Sequence, residues 1–186
     1  MLHRIRYAFG ITEPLELTDT VEVDETYVGG KRKGKRGRVA AGKTAVIGLV
    51  ERKGKVYTRP VSSIDKATLQ GVVRERVEPG ARVVTDELAS YTGLAKDYRH
   101  DTIRHGDGVY VAGDIYTNTI EGYWSHLKRG IFGIYHQVGA KHLHRYCTEF
   151  SFRYNSRKSG EVARFNEVRN GCEGRLMFKT LTGKGQ

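Results

Sequence analysis

Three β-rich runs follow one another closely, and this restricts the possible folds more than any other feature. Thr20-Val-Glu-Val-Asp-Glu-Thr-Tyr-Val28 alternates and is rich in strand-forming residues. Thr44-Ala-Val-Ile-Gly-Leu-Val50 is a second strand, Arg52-Lys-Gly54 a turn, and Val56-Tyr-Thr-Arg-Pro-Val61 a third strand. Hairpin-like connections predict an antiparallel meander. Ser62-Ser-Ile-Asp65 then fits a capping box that opens a helix with Leu69, Val72, Val73 and Val77 as its apolar stripe. Pro79-Gly80 ends that helix, and Ala81–Thr85 is a fourth strand. A strand–helix–strand crossover favours parallel pairing.

Further along, the pattern predicts a short helical piece over 91–96 and a fifth strand over 98–104. A Gly/Asp-rich loop (106–114) leads to a helix over 118–131, and a last helix spans 141–157. Residues 1–9 read as helical, with Leu2, Ile5 and Phe9 on one face and no cap before them. The order β-β-β-α-β-α-β-α-α is that of the ribonuclease H-like fold. It is an α/β architecture with a mixed five-stranded sheet, three strands antiparallel and two parallel, flanked by helices.

Charge narrows the partner. The chain has 186 residues, 32 Lys+Arg against 21 Asp+Glu, and a net charge of +11. Residues 29–59 hold eleven of the cations (31, 32, 33, 35, 36, 38, 43, 52, 53, 55, 59) and one acid, Glu51. Lys31, Arg32, Lys33, Lys35, Arg36 and Arg38 lie in a Gly-rich stretch whose like charges repel, which predicts a mobile loop able to neutralise several phosphates. Nucleic acid is therefore the expected partner. No run approaches the roughly 18 apolar residues of a membrane helix, so no membrane partner is expected. Two cysteines, Cys147 and Cys172, give no disulfide framework and suggest a reducing, cytoplasmic compartment.

Three carboxylates occupy positions that the proposed sheet would bring together. Asp24 lies within the first strand, Asp86 follows the fourth, and Glu121 falls in the first turn of the helix starting near Asn118. Strands one and four are neighbours in this topology, so their carboxylates converge, and a helix packed across the sheet end delivers Glu121. Clustered acids raise one another's pKa unless cations sit between them. Hard oxygen ligands suit Mg²⁺ or Mn²⁺, and two such ions about 3.5–4 Å apart serve phosphoryl transfer. The competing structural reading has Asp86 capping the next helix and Asp24 pairing with a basic residue. Lys128, seven residues after Glu121, shares its helix face within about 20° and is a candidate phosphate contact, with Arg129 a weaker one. Trp124 falls with Ile120, Leu127 and Ile131 on the stripe expected to be core.

These segments carry a family resemblance. Glu22-Val-Asp-Glu-Thr-Tyr-Val-Gly-Gly-Lys31 resembles the first-aspartate segment of insertion-sequence DDE transposases of the ISXO-type branch. Val84-Thr-Asp-Glu-Leu-Ala-Ser-Tyr91 resembles the second-aspartate motif, and Asn118-Thr-Ile-Glu-Gly-Tyr-Trp-Ser-His-Leu-Lys-Arg-Gly130 the third-carboxylate motif. Gly133-Ile-Tyr-His136, His142-Leu143 and Glu149-Phe-Ser-Phe-Arg-Tyr-Asn155 resemble the C-terminal helix signature. The match covers roughly 16–158. It implies a ribonuclease H-like catalytic domain, Asp24, Asp86 and Glu121 as catalytic and metal-binding residues, and two Mg²⁺ (or Mn²⁺). It also implies DNA end cleavage and strand transfer, on element ends and target DNA in the bacterial nucleoid, by a homo-oligomer. Asn118 is a minor competitor for the third position. Full-length members resemble this chain preceded by a zinc ribbon and a helix-turn-helix. On that comparison, 1–15 reads as the remnant of an upstream helical module, 16–158 as the catalytic domain and 159–186 as a flexible tail.

Other readings compete. Gly37-Arg-Val-Ala-Ala-Gly-Lys-Thr44 matches the phosphate-loop pattern letter for letter, which makes a P-loop nucleotidase the runner-up. Its context is wrong, because that motif needs a helix opening at Lys43-Thr44. His136, His142, His144 and Cys147 hint at zinc but lack compact Cys/His spacing. A non-catalytic DNA-binding remnant is a further alternative, although binding alone needs no clustered acids.

Overall fold

A computed structural model describes residues 2–10, 15–29, 42–103, 115–172, 176, 177 and 179. Its order is α1 (Leu2–Ala8), β1 (Thr20–Gly29), β2 (Lys43–Glu51), β3 (Val56–Val61), α2 (Lys66–Arg76), β4 (Arg82–Thr85), β5 (Arg99–Thr102), α3 (Asn118–Gly130), α4 (Ala140–Asn155) and α5 (Glu161–Asn170). Two 3₁₀ turns, Ala89–Tyr91 and Leu94–Lys96, occupy the expected short helical piece.

The five strands form one sheet in the order β3-β2-β1-β4-β5. β1–β2 and β2–β3 pair antiparallel, while β1–β4 and β4–β5 pair parallel. This is the mixed ribonuclease H-like sheet that the element order predicts. The β1–β2 ladder ends at the Gly29–Lys43 pair, which flanks the basic stretch in sequence. Residues 30–41, which hold Lys31, Arg32, Lys33, Lys35, Arg36 and Arg38, lie outside the described residues, as do residues 104–114 with the expected Gly/Asp-rich loop over 106–114.

Strand alternation gives the sheet two apolar faces. Val21 and Val23 of β1, with Ile47, Leu49 and Val83, pack under Leu69, Val72 and Val73 of α2. On the opposite face Val28, Val46, Val50 and Val56 meet Ile120, Tyr123, Trp124 and Leu127 of α3 and Leu143 and Cys147 of α4. Each fully buried aliphatic side chain contributes about 1.5–3 kcal/mol relative to exposure. β3 is an edge strand, and the Asn155 amide covers it, accepting from Val56 N at 2.7 Å and donating to Val56 O at 3.0 Å. A Cβ at Gly130 would collide with the Phe150 ring, so glycine there permits the close approach of α3 to α4.

The structure differs locally from the pattern. The N-cap of α2 is Asp65, not Ser62; it accepts from Thr68 N at 2.8 Å, so the helix starts later. Among the described side chains of α1 the buried ones are Arg6 and Ala8, while Ile5 is 37% exposed. Apolar periodicity misses this because Arg6 enters the interior as one half of a 2.7 Å ion pair with Glu149 of α4. α3 continues into a π-helical turn, Ile131–Tyr135, that ends at His136 with φ 56°. In the segment expected to be a tail, Glu161–Asn170 forms α5, which has no buried residue and therefore no apolar stripe to read. Lys43 and Thr44 belong to β2, so the phosphate-loop pattern lacks the helix it requires. Cys147 is fully buried, and burial pushes its thiol up to about 12. The His142 ring lies 4.9 Å from that of His3.

Candidate active site

The site forms where β1 and β4 run side by side. Glu22 pairs with Val84 in the parallel register, so two residues further on Asp24 and Asp86 stand level. One carboxylate oxygen from each of Asp24, Glu25 and Asp86 falls within a 4.8 Å group. Asp86 has just left β4, and its Oδ1 accepts from Leu88 N at 3.0 Å, a local turn that fixes the carboxylate. Glu25 lies on the other side of β1 from Asp24, and the buried Tyr91 hydroxyl donates to its Oε2 at 3.1 Å. Burial, followed by the Glu25 and Asp24 charges, pushes the Tyr91 phenol well above its usual value.

Glu121 lies in the first turn of α3, exposed, where Thr117 Oγ1 donates to its Oε1 at 3.3 Å. It is outside the 4.8 Å group, yet its charge is felt at Asp24. Burial chiefly holds the Asp24 carboxyl above its usual value, and the Asp86 and Glu121 charges add to this against a hydrogen bond from Trp124. Asn118 is the first residue of α3 and exposed. Lys128 is half-buried in the last turn, and the exposed Arg129 donates to Ser125 O at 3.3 Å.

Two further β1 contacts hold α3 against the acids. Glu22 is fully buried. Its Oε2 accepts from the backbone N–H of Thr119 (2.9 Å) and Ile120 (3.0 Å), satisfying two of the open donors at the α3 N-terminus. Its Oε1 accepts from Thr119 Oγ1 and Arg52 Nε, both at 2.9 Å. Arg52 in turn donates to Tyr116 O at 2.8 Å and lies over the Tyr116 ring. Two residues along the strand, Trp124 Nε1 donates to Asp24 Oδ2 at 2.9 Å. Sequence pattern alone gives no role to Glu22, Glu25, Tyr91 or Arg52. The available signal was the period-two spacing of Glu22 and Asp24, which puts both acids on one strand face.

The donor set suits a divalent cation. Asp24, Asp86 and Glu121 form no ion pair with another described residue, and carboxylate oxygens are the hard ligands that Mg²⁺ or Mn²⁺ prefers. Among the described residues, the only group of three or more potential ligands is Asp24, Glu25 and Asp86.

Comparison with known proteins gives the family. Residues 16–155 match the ISXO2-like transposase domain, so the chain belongs to that transposase family. An uncharacterized transposase-like protein of Haemophilus influenzae is 32% identical over 105 residues, 56% of this chain and 84% of that protein. An uncharacterized protein in transposable element ISH50 of Halobacterium salinarum is 29% identical over 166 residues, 79% of this chain and 56% of that protein. Among solved structures, the Mos1 transposase paired-end complex with left transposon end aligns at a TM-score of 0.33 and 14% identity. That alignment covers 84% of this chain and 56% of the Mos1 chain. The chain thus spans little more than half the length of the ISH50 and Mos1 proteins. No helix among the described residues is long and apolar enough to cross a membrane.

Proposed function

We propose that this chain is the catalytic domain of an insertion-sequence transposase that cleaves DNA at the element ends and joins them to target DNA, with divalent metal ions as cofactors. The observation that carries the proposal is that Asp24 and Asp86, 62 residues apart in sequence, lie side by side with no ion pair to another described residue. Glu121 completes the acidic triad from α3, and Glu25 adds a fourth carboxylate. Two Mg²⁺ or Mn²⁺ ions held there would supply activation of the attacking oxygen and stabilisation of the leaving one.

The chain's own residues do the rest. Asp24, Asp86 and Glu121 hold the cations. Lys128 and Arg129, further along the helix that carries Glu121, contact phosphates beside the scissile bond. The cations at Lys31, Arg32, Lys33, Lys35, Arg36 and Arg38 draw the DNA backbone towards a centre whose own charge repels it. Joining two element ends requires at least two copies on the DNA.

The test is nicking and joining of labelled element-end DNA in Mg²⁺ or Mn²⁺, with the chain in its full-length context. Asp24→Asn and Asp86→Asn are each expected to abolish both reactions while leaving DNA binding intact. Full nicking by either variant would refute the assignment. DNA that is cut but never joined would point to a nuclease instead.

A further inference from the structure

We infer that Trp124 is a positioning residue for the metal-binding carboxylate Asp24, and that Gly48 is glycine so that the indole can reach it. The inference rests on the metal-centre reading above and adds a component to it. Trp124 is 5% exposed and lies in the apolar layer between α3 and the sheet, where position and hydropathy alone mark it as core. Its Nε1–H nevertheless ends on Asp24 Oδ2 at 2.9 Å. A buried indole N–H has a single donor and needs a partner, and here that partner belongs to the acidic cluster.

The chemistry of the donor matters. A lysine or arginine in this place would neutralise Asp24 and compete with a cation for it. An indole donates one hydrogen bond, carries no charge and does not titrate in water. It holds the carboxylate in one orientation and leaves the charge available. Trp124 is three residues after Glu121, so the same bond sets the register of the Glu121 helix against the Asp24 strand.

Gly48 makes the arrangement sterically possible. It faces Asp24 across the β1–β2 ladder. A Cβ there would lie 2.6 Å from both Cη2 and Cζ2 of Trp124 and 3.1 Å from Ile120 Cδ1. Both ring atoms belong to a rigid bicycle wedged in the core, so the indole must shift as a body, and its N–H shifts with it. Gly48 therefore acts on the carboxylate through the tryptophan.

Trp124 is the only tryptophan in the chain, so its N–H gives a single resolved indole signal in an NMR spectrum. In the unmutated chain this signal is expected to shift as Mg²⁺ is added, and not to respond in Asp24→Asn. An unmoved signal at saturating Mg²⁺ would overturn the inference. Mn²⁺ binding, read from the paramagnetic signal of free Mn²⁺, provides the second arm. Trp124→Phe keeps an aromatic ring but loses the donor, and is expected to weaken Mn²⁺ binding by about ten- to a hundredfold. Gly48→Ala, which retains the indole and displaces it, is expected to weaken it similarly. Leu127→Ala removes buried contact from the same helix without touching Asp24, and is expected to change Mn²⁺ affinity less than about twofold despite a loss of stability. Unchanged affinity in Trp124→Phe, or an equal loss in Leu127→Ala, would show a purely structural role. If the unmutated chain binds no Mn²⁺, the metal centre itself is wrong; if it binds and Trp124→Phe binds equally well, only the present inference fails.

Discussion

Glu22→Gln isolates the cost of fastening α3 to the sheet. The substitution keeps the side-chain shape and one carbonyl oxygen. That oxygen can replace Oε2 and still accept from Thr119 N and Ile120 N. The amide nitrogen then replaces Oε1, where it faces the Arg52 Nε–H that the carboxylate accepted at 2.9 Å. Two donors oppose each other, and a guanidinium that is 14% exposed loses its ion pair with Glu22. Breaking a buried pair from one side costs about 3–5 kcal/mol. Arg52 keeps its bond to Tyr116 O and its stacking on that ring, which favours the lower end, about 3 kcal/mol. Chain lengths near 186 residues convert this to a fall in Tm of about 6–12 °C. Urea unfolding monitored by circular dichroism measures it directly. Glu75→Gln is the control: its pair with Arg59 is 43% and 38% exposed, and its removal should cost less than about 1 kcal/mol. A Glu22→Gln loss below about 1 kcal/mol, or one equal to the control, would refute the claim that this buried carboxylate anchors the helix.

Two other outcomes follow from the titratable groups. The fully buried Cys147, its thiol pushed up to about 12, should resist a disulfide reagent at pH 8 while the exposed Cys172 reacts, so the native chain should release one equivalent and the denatured chain two; two rapid equivalents from the native chain would contradict the packing. Burial works to raise the Glu149 carboxyl, but hydrogen bonds from Arg153 and Arg6 outweigh it and hold the group below its ordinary 4.5. The unfolded chain then binds the proton more readily. The stabilisation is present above pH 4.5 and fades as pH falls through the lower native value, so Glu149→Gln should flatten the acid limb of the stability profile.

The architecture was legible because each of its signals is local. Alternation located β1, β-rich runs on either side of a turn located β2 and β3, Pro79-Gly80 marked the end of the α2 region, and the helical crossover predicted the parallel β1–β4 pair that the structure contains. The neighbourhood of Asp24 and Asp86 followed from topology. What stayed hidden depends on side chains meeting across roughly a hundred residues. Glu22 looked like one more polar residue in an alternating strand, and its four bonds are visible only once α3 lies over β1. Hydropathy marks Trp124 as core, which it is, but carries no information about where its N–H ends. Arg6 is illegible for the converse reason: a cation inside the protein is intelligible only with its partner, Glu149, 143 positions away.

The bonds that join α3 to β1 link residues 97, 98 and 100 positions apart in the chain. Closing so long a loop costs entropy that only the finished contacts repay. A nascent chain still short of residue 124 has already made both aspartates and has nothing to lock them to the third acid. During synthesis the contacts that hold the α3 acid beside the two strand aspartates can therefore form only after most of the domain has left the ribosome.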